Sequence, residues 1–162
     1  MKRHPIKAGQ ESVWDYPRPP IAEATMKHIK VFFGGKEIAS SNSTYRVLET
    51  SHPPVYYIPQ EDFIEGVLIP SNKSSFCEFK GEARYYHIQV GNVRVENAAW
   101  YYPTPHERFG CIRNYIAIYP SLMDKCTVND EVVQAQEGDF YGGWITKNIV
   151  GPFKGGAGTW GW

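Results

Sequence analysis

Cys77 and Lys80 stand three residues apart in the segment Ser75–Val90, SFCEFKGEARYYHIQV, and Glu49 lies upstream in TYRVLETS. These three are the candidate catalytic residues. An ammonium beside a thiol lowers its pKa and yields a reactive thiolate, and a lysine in apolar surroundings becomes a nucleophile itself. Alternation along the segment puts Cys77 and Lys80 on opposite faces unless a turn at Gly81 rotates the lysine inward. The plain alternative is a core cysteine and a solvated lysine. Glu49 shares a face with Tyr45 and Val47, so it must sit near a rim or be paired, because burying a lone carboxylate is costly. His52, beside Pro53–Pro54, has the chemistry of an acid or base near neutral pH, or is an ordinary turn residue.

A second candidate is aromatic. Trp100, Tyr101 and Tyr102 are adjacent, and Tyr56, Tyr85, Tyr119, Tyr141 and Trp144 come from other segments. Flat rings converging on a cleft bind planar or cationic ligands by stacking and cation–π contact, while hydroxyl and indole N–H groups fix the orientation. Trp100, Tyr101, Tyr56, Tyr85, Tyr119 and Trp144 are the candidate ligand-binding residues. The competing reading is that these rings simply fill a core.

The elements that must position these groups read mainly as strands. In Cys77–Tyr85 the odd positions are Cys, Phe, Gly, Ala and Tyr, and the even ones are charged. This is the period of a half-buried strand, and the phase flips at Tyr85–Tyr86, as one extra bulged residue would cause. Lys30–Phe33 and Lys36–Ser40 flank Gly34–Gly35 as a hairpin, and Cys126–Val128 and Glu131–Gln134 flank Asn129–Asp130 as another. Thr44–Ser51, Val55–Ile58, Asn92–Val95, Ala98–Tyr102 and Asn114–Tyr119 are further strands. Pro59–Leu68 is predicted as a short helix with Phe63, Val67 and Leu68 as its apolar stripe, and Thr104–Phe109 as one helical turn. Residues 1–28 form a proline-punctuated arm laid on the body by Trp14 and Tyr16. Residues 138–162 are glycine-rich, yet their six large aromatic residues predict a packed segment rather than a linker.

Composition sets outer limits. At 162 residues, a single domain over 1–162 is the expectation. Seventeen basic residues balance seventeen acidic ones, so no net field draws nucleic acid or an anionic membrane. No apolar stretch spans a bilayer and no apolar leader is present, which predicts a cytoplasmic protein. Cys77, Cys111 and Cys126 form no CxxC pair, and no histidines stand at ligand spacing, so neither metal nor cofactor is predicted. Cys111 and Cys126 are expected to be buried small hydrophobes. The partners left are a small-molecule ligand and a second copy of the chain in a homodimer.

ESVWDYPRPP, RVLETSHPPVYYIP, CEFKG with ARYY, AAWYYP, YIAIYP, and YGGWIT with IVGPFKG together resemble a family catalogued as domain of unknown function 427. That family is sometimes labelled nucleotidyltransferase family 9, and the resemblance runs from about Glu11 to the C-terminus. It implies a small antiparallel β protein, similar to the β-tent group of type B methionine sulfoxide reductases and the cereblon ligand domain. The paired CxxC zinc motifs of that group are not matched, nor is the reductases' catalytic cysteine motif. The transferase label finds no Asp-x-Asp and no GxxxxGK[ST] loop here; GPFKGGAGT shares only glycines and a lysine. The reading that follows is a mainly β, β-tent-like domain with an aromatic-lined pocket for a small organic ligand. Trp100, Tyr56 and Trp144 would form its walls, with Glu49, Cys77 and Lys80 at floor or rim. The alternative is a protein–protein interaction module, followed by nucleotidyl transfer.

Overall fold

The computed structural model describes residues 1–138 and 140–162. The chain opens with β1 (Glu11–Ser12), β2 (Ile21–Thr25), β3 (Ile29–Phe33), β4 (Lys36–Ser41), β5 (Thr44–Leu48) and β6 (Val55–Ile58). It continues through β7 (Leu68–Cys77), β8 (Gly81–Val90), β9 (Val93–Tyr101) and β10 (Ile116–Ile118). Last come β11 (Lys125–Val128), β12 (Glu131–Val132), β13 (Gln134–Ala135), β14 (Trp144–Ile145) and β15 (Ile149–Val150). A seven-stranded sheet runs β2-β5-β6-β10-β9-β8-β7 and a four-stranded sheet runs β12-β11-β3-β4. Both are antiparallel throughout. Two short pairs, β13 with β14 and β1 with β15, fasten the ends, the second of them parallel. The protein is mainly β, as its alternating patterns require.

The large sheet buries both faces. On one, Tyr56, Ile58, Ile88, Ala99 and Ile116 pack against Val31, Ile38 and Cys126 of the small sheet, with Trp144 wedged among them. On the other, Val47, Tyr57, Ala83, Tyr85 and Trp100 form a separate cluster with Phe109 and Ile112. Successive strand residues point to opposite faces, so Tyr56 and Tyr57 part company, as do Trp100 and Tyr101.

Both hairpin turns follow their residues: Gly34 and Gly35, and likewise Asn129 and Asp130, take the positive φ that a tight turn needs. The phase flip at Tyr85–Tyr86 is not an extra residue in β8, which keeps its alternation. Ala83 and Tyr85 face one cluster, and Tyr86, Ile88 and Val90 face the other, so burial passes from one face to the other. The bulge that the pairing does contain lies in β9, where residues 96–98 stand opposite His87 and Asn97 takes φ +52°. Other expectations are corrected. Ser75–Val90 is not one strand but the end of β7, a turn at Glu78–Lys80 and the whole of β8, with Cys77 paired to Gly81. The polar run before it, Leu68–Ser74, is strand as well, because it lies at the sheet edge where Pro70 costs little.

Pro59–Leu68 forms no helix beyond the 3₁₀ turn Gln60–Asp62. Phe63 is extended and bridges Ala39, Ile64 N–H donates to the Ile38 carbonyl, and Gly66 sits at φ +88°. Edge pairing to β4 outweighed a helical pattern already weakened by glycine. Thr44–Ser51 stops as a strand at Leu48, and the helical turn expected at Thr104–Phe109 is the 3₁₀ stretch Glu107–Ile112. Cys126 is buried, which pushes its thiol well up, but Cys111 is exposed rather than buried.

The arm is more than a strap, since β2 is the edge strand of the large sheet. Val13 and Tyr16 pack with Leu48 and Ile149. Arg46 on β5 is bonded to Glu23 on β2 and to Glu11 on β1. Burial alone would raise the Glu11 carboxyl, but Arg46 and the hydroxyl of Tyr16 outweigh it and hold the group below its ordinary 4.5. In the tail, Trp144 has no exposed surface and Trp162 meets Trp14 edge-on at 5.5 Å. Packing of every tail aromatic is not observed: Phe140 and Trp160 are 82% and 91% exposed.

Candidate functional site

The second cluster does not close completely. Between the strand ends, the β7–β8 turn and the tail lies a cavity of about 510 Å³, within the size range of small-molecule sites. Tyr57, Tyr85, Trp100, Tyr102 and Tyr119 line it, and Tyr141 closes part of the rim. Trp100 stands 4.5 Å centroid to centroid from Tyr119 and edge-on to Tyr57 at 6.4 Å, and its indole N–H donates to the Tyr57 hydroxyl at 3.3 Å. Burial pushes the phenols of Tyr57, Tyr102 and Tyr119 far above their ordinary range. They are neutral, polar-tipped walls.

Lys80 enters this aromatic surround through the turn. Gly81, at φ +104°, reverses the chain where the carbonyl of Thr104 lies 3.4 Å from the position of an added Cβ. The Lys80 carbonyl accepts from His106 N–H at 3.1 Å, which pins the turn. Lys80 is 8% exposed, with its Nζ 5.9 Å from the Tyr102 ring centroid and 5.7 Å from that of Phe109. Among the described residues no carboxylate is in ion-pair contact with it and no acceptor is hydrogen-bonded to it. Cys77, half-buried, lines the same cavity. The turn therefore brings Cys77 and Lys80 to one side, where strict alternation would have parted them.

Glu49 and His52 form the facing wall, delivered by the end of β5 and a turn at Ser51, whose φ is +72°. His52 Nε2 lies 4.0 Å from Glu49 Oε2. Its other nitrogen, Nδ1, is 3.1 Å from Gln136 Nε2. The Gln136 amide is itself fixed, since Oε1 accepts from Gly143 N–H and Nε2 donates to the Lys154 carbonyl. A donor facing Nδ1 leaves the imidazole proton on Nε2, directed at Glu49 and the cavity.

Burial foremost, with the charges of Lys154, Lys80 and Arg18, holds His52 below its ordinary 6.5 against the pull of Glu49. The unfolded chain thus binds a proton at His52 that the folded chain refuses, so stability falls as pH drops below about 6.5. Glu11, with its lowered folded value, contributes stability above 4.5 that is lost as pH falls further. The melting temperature is expected to decline in two stages on acidification, and His52→Gln to remove the upper stage.

The tail makes the remaining wall by close approach. A Cβ on Gly142 would lie 2.3 Å from Trp100 Cη2, and one on Gly143 would meet Gln136 and Pro53 at 2.4 and 2.5 Å. Gly142→Ala is expected to cost about 1–3 kcal/mol by overpacking, read as a lower melting temperature.

Of the residues predicted for the site, Glu49, Cys77, Lys80, Tyr85, Trp100 and Tyr119 meet at the cavity. Tyr56, Tyr101 and Trp144 do not. They lie with the other face of the sheet, Tyr101 stacked on Tyr86 at 4.9 Å and Tyr56 tilted on Trp144 at 5.0 Å. Tyr57 and Tyr102 were the neighbours to choose, and alternation from Val55 and Trp100 marks both as the residues that share the cavity's face. Gln136 and Lys154 carry no local signal, for they arrive through the fold of the tail.

Among the described residues no three His, Cys, Asp or Glu side chains converge as a metal site, and no helix is long and apolar enough to cross a membrane. A family model described as a domain of unknown function (DUF427) matches residues 21–129. No curated protein matches the chain.

Proposed function

The chain belongs to this family, the domain of unknown function DUF427, and we propose that it binds a small planar organic molecule in the cavity behind the β7–β8 turn. The observation that carries this reading is the convergence of Tyr85, Trp100, Tyr102 and Tyr119 on one concave space that their contacts with each other leave open. Rings that only filled a core would close that space, because interiors pack to crystal density. Here the polar tips of neutral tyrosines, the Nε2–H of His52 and the carboxylate of Glu49 face an opening of ligand size, as in sites that orient a flat molecule by a few placed polar groups.

The test is a thermal-shift screen of aromatic metabolites against the native chain and Cys77→Phe, which fills the cavity from a half-exposed position. Binding to the folded state raises the melting temperature by mass action. The reading expects hits on the native chain that vanish in the folded variant. Hits that survive the phenylalanine place the ligand elsewhere and overturn it.

A protein-interaction role is favoured by a different observation. Phe76 and Phe140, 75% and 82% exposed, both stand at the cavity mouth, and exposed apolar residues grouped at one place mark contact surfaces. Nucleotidyl transfer would need carboxylates converging on a divalent cation, and the charged lining groups Glu49, Glu78, Lys80 and Lys154 supply no acidic cluster among the described residues.

A further inference from the structure

We infer that the molecule taken up by the cavity is an aromatic monocarboxylate, its carboxylate held by the Lys80 ammonium and its ring by the tyrosine and tryptophan walls. The inference rests on the binding reading above and adds the chemical class. Its basis is the difference in how the charged lining groups are met.

Glu49 faces the fixed Nε2–H of His52 at 4.0 Å, and Glu78 is exposed at the turn. Lys154 lies on the tail, where its charge acts on His52 and its carbonyl holds Gln136. Lys80 alone is nearly buried, with ring faces below it and no acceptor hydrogen-bonded to it among the described residues. Its Nζ is not fully enclosed, so the ammonium keeps contact with the cavity it lines, and a ligand there would supply the acceptor it lacks.

The lysine does not answer Glu49, although both line one cavity. Their elements are four positions apart in the sheet, β5 against β8, and the turn carrying Lys80 is pinned by His106 and Gly81. No ion pair joins the two charges among the described residues. One compact cation with three donors suits one monoanion. A phosphate dianion would call for paired arginines or a nest of backbone N–H groups, and the cavity lining contains no arginine. Trp100 and Tyr119, tilted together at 4.5 Å, give the ring its apolar seat.

The experiment uses four matched probes, indole-3-acetate, indole-3-acetamide, tryptamine and phenyl phosphate, titrated into the full chain and into Lys80→Met by ligand-observed NMR. The expected result is indole-3-acetate binding at least tenfold more tightly than its neutral amide, with that gap gone in Lys80→Met. Equal binding of acetate and acetamide would overturn the carboxylate assignment while leaving the planar-ligand reading intact. Tighter binding of tryptamine would overturn it in favour of Glu49 as the recognising charge, and tighter binding of phenyl phosphate in favour of a dianion. Silence from all four, in a chain shown folded by its dispersed amide spectrum, would count against this class and against the planar-ligand reading together. A gap that persists in Lys80→Met would remove Lys80 from the assignment.

Discussion

Trp144→Ala is expected to cost about 3–5 kcal/mol of folding stability, the range for emptying a buried tryptophan site. At this chain length about 1 kcal/mol moves the melting temperature by roughly 2–4 °C, so thermal unfolding should show a drop on the order of 10 °C. The cause is position. Trp144 has no exposed surface, tilts against Tyr56 at 5.0 Å and donates its indole N–H to the Ile118 carbonyl. Its neighbours belong to both large sheets and are themselves buried, so the site is closely packed. Phe140→Ala supplies the control: that ring is 82% exposed and its loss should leave the melting temperature within about a degree or two. If the two variants melt together, the tail is not part of the core.

The second large effect joins stability to binding. Lys80→Met should raise the melting temperature by several degrees in the absence of ligand. It replaces an ammonium that faces the rings of Tyr102 and Phe109 with an apolar chain of similar length, removing a charge in a largely buried residue without opening a hole. The same variant should lose the stabilisation that an aromatic acid confers on the native chain. Opposite changes from one substitution are the mark of a group kept for function against the interest of the fold. A Lys80→Met protein that is less stable than the native chain would show instead that the lysine is a structural prop, with its stem packed on those rings.

The strands were legible wherever local pattern and local turn chemistry agreed. Asn129–Asp130 and Gly34–Gly35 name their hairpins. The flip at Tyr85–Tyr86, read as an extra residue, is instead the point where burial passes from one face of β8 to the other. Legibility failed where long-range pairing chose between local options. Phe63 and Val67 read as a helical stripe, but the free edge of β4 captured Phe63 in extended form. The sequence pattern puts Leu68 at the end of the expected helix and residues 69–74 in no element, because an edge strand exposed to water needs no apolar alternation.

The site divided in the same way. Glu49, Cys77 and Lys80 were identifiable by chemistry, and Tyr85, Trp100 and Tyr119 by their rings, but which face a ring occupies depends on register. One residue of slippage exchanges Tyr56 for Tyr57 or Tyr101 for Tyr102. The Gln136 amide that sets the His52 tautomer comes from 84 residues away, a distance across which sequence spacing says nothing.

The parallel pairing of β1 with β15 has a kinetic consequence. It joins Glu11 to Ile149, and the Trp14 indole bonds the Pro152 carbonyl across 138 residues. Contacts this remote in sequence carry the largest loop-closure entropy and are made late on the way to the native state. The tail that closes this ring also brings Gln136, Gly142 and Lys154 to the cavity. A refolding chain should therefore complete its two sheets before it can hold a ligand, so that binding competence, followed in real time, lags the signal of strand formation.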